Sequence, residues 1–416
     1  MLYERWRQIS AERRNEPALH DVASGKRWTF GELFSAGDNQ FTGPAGPAFP
    51  QGHSPAFIFE LLAAWRDDKI VCPLETGQSP PEISSLPENC VHLKSTSATG
   101  GAARLVAFTA AQLMADAENI VATMGLRPDW PNLGVISLAH SYGFSNLILP
   151  LLLHGIPLIL VPAPLPEIIR RAAEAESFIT LPAVPAMWRA WHAAAVIPQN
   201  VRLAISAGAP LPVNLEQEVF KSCGLKIRNF LGSSECGGIA YDTSETPRSE
   251  TAFVGLPMQN VNLSLNADGR LVVRSRAVAE TYWPHKSDSL GTGIFQTSDL
   301  AELKDGAVFL RGRLGDQINV AGRKLAPETV ERALLAHPRV RECLALGVPD
   351  RDAERTEIIV AVVVSDASET ELKHFLLQTL PAWQVPREWH FVGSLSANAR
   401  GKISRAEWRK FFSSHV

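Results

Sequence analysis

Cysteine is scarce: five residues in 416, at positions 72, 90, 223, 236 and 343. None forms a C-x-x-C pair, which argues against a disulfide framework or a zinc site and leaves reduced thiols as the expectation. An excess of one charge is also missing. Forty Lys and Arg stand against 43 Asp and Glu, a net charge of -3, whereas a nucleic-acid binder would show a basic surplus. No apolar run reaches the ~20 residues that span a bilayer. The most apolar stretch, 147–161, is interrupted by Pro150, His154, Gly155 and Pro157 and reads as a buried helix followed by a buried strand. Residues 1–7 are charged and lack a signal-peptide core, so a cytoplasmic protein with no membrane and no nucleic-acid partner is expected.

Several common motifs are absent too. No Walker A loop and no G-x-G-x-x-G fingerprint occurs. Ala204–Gly208 falls one residue short of the G-x-S-x-G nucleophile elbow, and Ser206 ends an apolar run, so a strand end with a tight turn is the better reading. No two of the eleven histidines have the spacing of a metal-hydrolase helix. What remains is an ordinary globular balance, 45% hydrophobic and 20% charged, long enough for two or three domains at about 150 residues each. The 29 prolines and 29 glycines imply many loops and not a helical bundle.

Between about 90 and 232, short apolar runs (Cys90–Leu93, Leu133–Ala139, Pro157–Val161, Phe178–Leu181, Arg202–Ser206, Lys226–Phe230) alternate with amphipathic stretches such as Ala110–Met124 and Leu211–Cys223. That alternation predicts α/β layers on a mostly parallel sheet. From about 253 the texture changes. Asp268-Gly269 and Asp305-Gly306 each sit between β-like runs, a hairpin signal in which both turn residues take φ > 0. After Gly312, strand-like Gln317–Val320, Glu342–Leu346 and Glu357–Val364 mix with helix-like Pro327–Ala336, Glu369–Leu380 and Ser404–Phe412. The expected organisation is a large N-terminal domain, 1–313, whose residues 251–313 form an antiparallel β subdomain, and a small mobile α+β domain, 314–416.

One segment suggests phosphate chemistry. Ser95–Arg104 offers four hydroxyls, two glycines and then a cation. Glycines let successive N–H groups approach a ligand, and an arginine adds charge-assisted contacts to phosphate oxygens. A plain polar loop is the blander reading of the same residues.

Thr96–Arg104 resembles the phosphate loop TSGSTGxPK of the adenylate-forming superfamily, which comprises acyl-CoA synthetases, luciferases and peptide-synthetase adenylation domains. Thr96, Ser97 and Gly101 coincide, Thr99 is an accepted variant, and Arg104 replaces the lysine; Ala98, Gly100 and Ala103 depart. Further segments resemble the family in its order: Ser137–Phe144 with a His before a Gly, Ser206–Leu211 like SGAAPL, and Leu231–Glu235 like YGxTE. Phe295–Asp299 resembles YxTGD, and Gly312–Asn319 with Gly322 resembles GRxDDxIKxxG. Leu380–Pro386 resembles LPxYMVP, and Asn398–Arg405 resembles NGKxxR. Thr29–Leu33 is similar to WTFxEL, and the chain is shortened after it and again between Tyr241 and Thr251.

The resemblance implies ATP-dependent activation of a carboxylic acid to an acyl-adenylate, with AMP as product, and transfer to the thiol of CoA or of a carrier-protein phosphopantetheine. Thr96, Ser97, Thr99, Gly100, Gly101 and Arg104 would meet the phosphates. Gly208, Ala209 and Pro210, with Leu231, Gly232 and Ser233, would line the adenine side. Ser234 would bond the α-phosphate and Glu235 would hold Mg²⁺, which needs few protein carboxylates. Asp299 and Arg313 would take the ribose, and Lys402 would stabilise charge that develops on the carboxylate and α-phosphate. Leu314–Asp316 is the expected hinge, with Gly315 widening its backbone freedom. His140 is a pocket wall or a core histidine bonded to backbone; Trp188 and Trp191 read as core. No acid lies in Ala139–Ser141, which favours an acyl or aryl acid without an α-amine. Two alternatives stay open: an enzyme that loads an acyl carrier protein, and a relative that binds nucleotide without catalysis. The second is motivated by the departures at Ala98, Leu231, Ser298, Gly315 and Asn319. The oligomeric state is not legible.

Overall fold

A computed structural model describes residues 1–40, 46–83, 87–96, 104–349, 357–395 and 405–414. Its dominant feature is a continuous sheet of fourteen strands among the described residues. Six of them run parallel at its centre, in the spatial order Ile227–Ser233, Val201–Ser206, Ile179–Ala183, Asn132–Gly134, Leu158–Leu160 and Pro17–Asp21. Asn132–Gly134, Leu158–Leu160 and Ile179–Ala183 are buried at every position, the near-continuous apolar pattern of strands covered on both faces. Helices supply that cover. Ala110–Met124 begins in a Thr109/Gln112 capping box and ends at the left-handed Gly125. Phe30–Asp38 begins in a second capping box, Thr29/Glu32, and buries Phe30 and Leu33. The predicted strand at Leu133–Ala139 is shorter than expected. Only Asn132–Gly134 pairs; the buried remainder leaves the sheet and turns beneath the helical segment beginning at Ser141.

The antiparallel part is not a separate sheet. Ile227–Asn229 pair in parallel with the preceding strand, whereas Phe230–Ser233 pair antiparallel with Gly237–Tyr241. The bend leads directly into Phe253–Pro257, Ala307–Arg313, Ile294–Lys304, Arg270–Arg274 and Asn262–Leu265. The two Asp-Gly turns differ. Asp305 and Gly306 both have positive φ, 51° and 77°, as the expected tight hairpin requires. At the other turn only Gly269 does, because Asn266 accepts the Asp268 and Arg270 N–H groups through its side chain and widens the loop.

The apolar cores divide along the chain: one cluster runs from Leu2 to Val308, with a small one over 72–107, and two others lie within 318–412. Those two flank a three-stranded sheet of Val340–Pro349, Glu357–Ser365 and Glu388–Phe391. Ala345, Ile359, Ala361 and Val363 face Pro327–Leu335 and Glu369–Leu377, while Leu344, Leu346, Val360 and Val362 face the terminal helix Arg405–Ser414, the period-two alternation of strands covered on both sides. Trp188 and Trp191 are fully buried in the large core, edge to face at 5.4 Å.

Candidate active site

Strand order marks a candidate site. The chain leaves Asn132–Gly134 for a neighbour on one side, and leaves Ile179–Ala183 for Val201–Ser206 on the other. These two adjacent strands therefore send their connections apart, and a crevice opens at their carboxyl ends, where open α/β sheets bind ligands. The segments at 137–144, 206–211 and 231–235 all follow carboxyl ends of parallel strands. Ser206 is buried at the end of its strand, which excludes it as an exposed nucleophile.

In the 137–144 segment, His140 Nδ1 accepts the Tyr142 N–H at 3.2 Å, and the buried Tyr142 phenol donates to the Ala183 carbonyl at 3.4 Å. Gly143 is required by close approach: a Cβ there would lie 1.9 Å from the Ser137 carbonyl oxygen. His140 is thus both backbone-bonded and a wall of a small polar cleft that Ser95, Glu75 and Gln78 also line. Glu75 brings to this region an acid that the Ala139–Ser141 segment itself lacks. It arrives from the distant 73–78 loop and accepts the Ser137 hydroxyl at 2.8 Å, a proximity created by tertiary structure and absent from local spacing.

The 231–235 turn meets the 137–144 segment directly. Ser234 Oγ lies 2.8 Å from Ser141 Oγ. Glu235 follows on a turn that Ser233 caps by accepting the Glu235 N–H at 3.2 Å. Gly232 lets this turn close, since a Cβ would sit 2.9 Å from the Gly237 carbonyl oxygen. Glu235 Oε1 accepts the Tyr282 phenol at 3.0 Å, and the Arg104 guanidinium lies over the Tyr282 ring, 5.4 Å from its centre. Burial and then the Glu235 charge push the Tyr282 phenol well above its ordinary range, so it stays protonated and donates. Thr96 Oγ1 donates to the Arg104 carbonyl at 3.2 Å and accepts the Arg104 N–H at 3.3 Å. Ser97, Thr99, Gly100 and Gly101 lie outside the described residues, as does Lys402. No cluster of three or more His, Cys, Asp or Glu capable of holding a metal occurs among the described residues. The single half-buried Glu235 carboxylate fits Mg²⁺ carried chiefly by phosphate and water.

Beneath this turn lies a group invisible in the motifs. Asp116 Oδ1 accepts the Gly238 N–H at 3.2 Å and Oδ2 accepts the Ser145 hydroxyl at 2.6 Å. Lys94 Nζ lies 3.8 Å from Asp116 and donates to Ser145 at 3.1 Å. Burial lowers the Lys94 pKa, and Asp116 is the strongest of the influences opposing that shift. Gly237 takes φ 67° and would place a Cβ 1.9 Å from Asp116. The turn carrying Glu235 therefore rests on a buried ion pair. Sequence could have flagged it only as a lysine inside an apolar strand, His92–Ser95, and an aspartate on the buried face of a helix.

Gly208 has φ 85° in the loop after Val201–Ser206, with Ala209 half-buried and Pro210 exposed. The end of that loop is anchored from below: Arg248 donates to the Leu211 carbonyl at 2.7 Å and to Glu216 at 2.7 Å. Leu231 is half-buried against the core. Asp299 and Arg313 sit opposite each other on paired strands, and Arg313 Nε donates to Asp299 Oδ1 at 2.7 Å. The Asp299 charge raises the Arg313 pKa further. Leu314–Asp316 is a single 3₁₀ turn. Gly315 there has no positive φ and open space at its Cβ position, so this conformation does not need glycine. Asp316 accepts Arg405 at 3.1 Å, and Arg405 also binds Glu331 at 2.7 Å, tying this turn to the start of the last helix. Asn319 stands in a short hairpin, accepting the Gly322 N–H at 3.0 Å.

This chain belongs to the AMP-binding enzyme family, whose pattern matches residues 60–283, more than half its length. Residues 329–402 match the AMP-binding enzyme C-terminal domain. The adenylate-forming resemblance is therefore shown. An uncharacterized acyl–CoA ligase of Bacillus subtilis is 28% identical over 58% of this chain and 52% of its own length. The chain spans about half the length of that relative and of another it matches. The 2-succinylbenzoate–CoA ligase of Bacillus cytotoxicus is 24% identical over 84% of this chain and 80% of its own. In fold, ATP-bound MatB from Rhodopseudomonas palustris superposes with a TM-score of 0.86 at 18% identity, covering 100% of both chains. No helix among the described residues is long and apolar enough to cross a membrane.

Proposed function

We propose that this chain activates a carboxylic acid by attack of its carboxylate on the α-phosphate of ATP, releasing pyrophosphate, and passes the acyl group to the thiol of CoA. The observation that carries the reading is the Ser141–Ser234 contact at 2.8 Å, which joins the acid-side wall to the phosphate-side turn within one hydrogen bond. A carboxylate and a triphosphate repel one another, so the site must supply cations and oriented donors. Arg104 would meet phosphate oxygens, Ser234 would bond the α-phosphate, and Asp299 with Arg313 would exchange their mutual contact for ribose hydroxyls. Glu235 would hold Mg²⁺, which neutralises phosphate charge when bound. Lys402 would add an ammonium where charge grows in the transition state. The 2-succinylbenzoate in the name of one relative carries no α-amine, which favours an acyl or aryl substrate.

The core division between Val308 and Ile318 supports a boundary at 313/314, with Leu314–Asp316 as the pivot that brings a different face of the small domain to each half-reaction. Pyrophosphate release from ATP, Mg²⁺ and a panel of carboxylic acids tests the first step. Release with at least one acid, followed by thioester when CoA is added, is expected. Thioester only on a carrier-protein phosphopantetheine would move the acceptor assignment, and AMP binding without release for any acid would leave a non-catalytic binder.

A further inference from the structure

The two charged groups expected to face the same phosphates, Arg104 and Glu235, have opposite sign and both lie beside Tyr282. Free to meet, they would form a charge-assisted pair that must break before phosphate and metal could enter. Among the described residues they make no such pair, and the reason is built into the fold. The strand Thr281–Trp283 pairs antiparallel with Leu105–Phe108, setting Trp283 opposite Leu105 and Tyr282 opposite Val106. Just before it, the Ala279 N–H donates to the Glu235 carbonyl and the Glu280 N–H to the Ala107 carbonyl, both at 2.9 Å. One segment is thereby stitched to the backbone of both charged elements. Its Tyr282 side chain gives the carboxylate a neutral donor at 3.0 Å and the guanidinium an aromatic face at 5.4 Å.

We propose that Tyr282 is a positioning residue that holds Arg104 and Glu235 apart, each satisfied by a neutral contact that a phosphate or a cation can displace, so that they do not neutralise one another in the free protein. This rests on the nucleotide reading above. A cation–π contact and a hydrogen bond from a neutral phenol are each easier to exchange than a direct ion pair.

The test is calorimetric ATP binding without metal, then a Mg²⁺ titration, for the wild type, Tyr282→Phe, Tyr282→Leu and Tyr282→Leu with Glu235→Gln. Removing the spacer should weaken metal-free ATP binding about tenfold, because Arg104 then pairs with Glu235. Adding Glu235→Gln should restore it by more than the same substitution gains with Tyr282 in place, since the competing carboxylate is gone; a merely structural role for Tyr282 would leave the two gains equal. Tyr282→Phe keeps the ring and should shift the Mg²⁺ half-saturation by about threefold, the loss of one hydrogen bond to Glu235; it also keeps the idea testable if the leucine variant does not fold. Unchanged ATP binding in Tyr282→Leu, failure of the second substitution to rescue it, or an unmoved Mg²⁺ dependence in Tyr282→Phe each overturns the proposal. Absence of ATP binding by the wild type would instead overturn the nucleotide reading, and the proposal with it.

Discussion

Replacing Asp116 by alanine should destabilise the large domain by about 3–5 kcal/mol, the cost of breaking a buried ion pair from one side. Asp116 is 1% exposed and Lys94 4%, so neither charge has water to fall back on. The substitution strands the Lys94 ammonium and leaves the Gly238 N–H without its 3.2 Å acceptor. The penalty has a ceiling, because the lysine can shed its proton. From an ordinary value of 10.5, deprotonation near pH 7 costs at most about 5 kcal/mol at ~1.4 kcal/mol per pH unit. That ceiling makes the effect pH-dependent. With the folded pKa depressed below 10.5, the unfolded chain binds a proton that the folded chain lacks. The variant should therefore gain stability as pH rises toward 10.5. Urea unfolding followed by tryptophan fluorescence reads the large domain, where Trp6, Trp65, Trp188 and Trp191 are buried. The deficit should shrink by about 1–3 kcal/mol between about pH 7 and about pH 9. Replacing the pair by Lys94→Met with Asp116→Leu should recover most of the loss. A deficit below about 1 kcal/mol, or one that does not change with pH, would refute the view that the Glu235 turn rests on a desolvated ion pair.

Three further outcomes follow from the same geometry. His92 is fully buried with neither ring nitrogen bonded, and burial followed by the Lys94 charge pushes its pKa well below 6.5; the unfolded state thus binds a proton that the folded state refuses. Stability should fall as pH drops below 6.5, by up to about 1.4 kcal/mol per pH unit from this residue, and the slope should be shallower in His92→Leu; an identical slope would contradict the assignment. Gly143→Ala must move the Ser137 carbonyl or the helical turn bearing His140 and Ser141, so acid-dependent pyrophosphate release should drop at least about tenfold while AMP binding persists; undiminished release would show that the close approach is dispensable. Lys402→Ala should lower the adenylation rate by about 10²-fold or more with nucleotide affinity little changed, and full activity would remove its assigned role.

Much of the fold was legible because its signals are local. The apolar runs at Pro157–Val161 and Arg202–Ser206 and the Asp305-Gly306 turn each depend on a few neighbouring residues. The motif segments were legible for the same reason, and strand order gathers three of them at the carboxyl ends of parallel strands. What local pattern cannot carry is proximity. Glu75 beside Ser137, Lys94 against Asp116 and Tyr282 between Arg104 and Glu235 join residues far apart in the chain. The bend within Ile227–Ser233 was hidden too, because each half of that strand looks regular and only its change of partner turns the parallel layer into the antiparallel one.

The central claim is that the acid carboxylate attacks the α-phosphate and that a thiol then expels AMP. Turnover of an acid labelled with heavy oxygen in its carboxylate follows those atoms. One carboxylate oxygen becomes the bridge to AMP and leaves with it, so mass spectrometry should find AMP carrying one heavy oxygen, with unlabelled pyrophosphate. Unlabelled AMP, or ADP accompanied by labelled phosphate, would contradict the account.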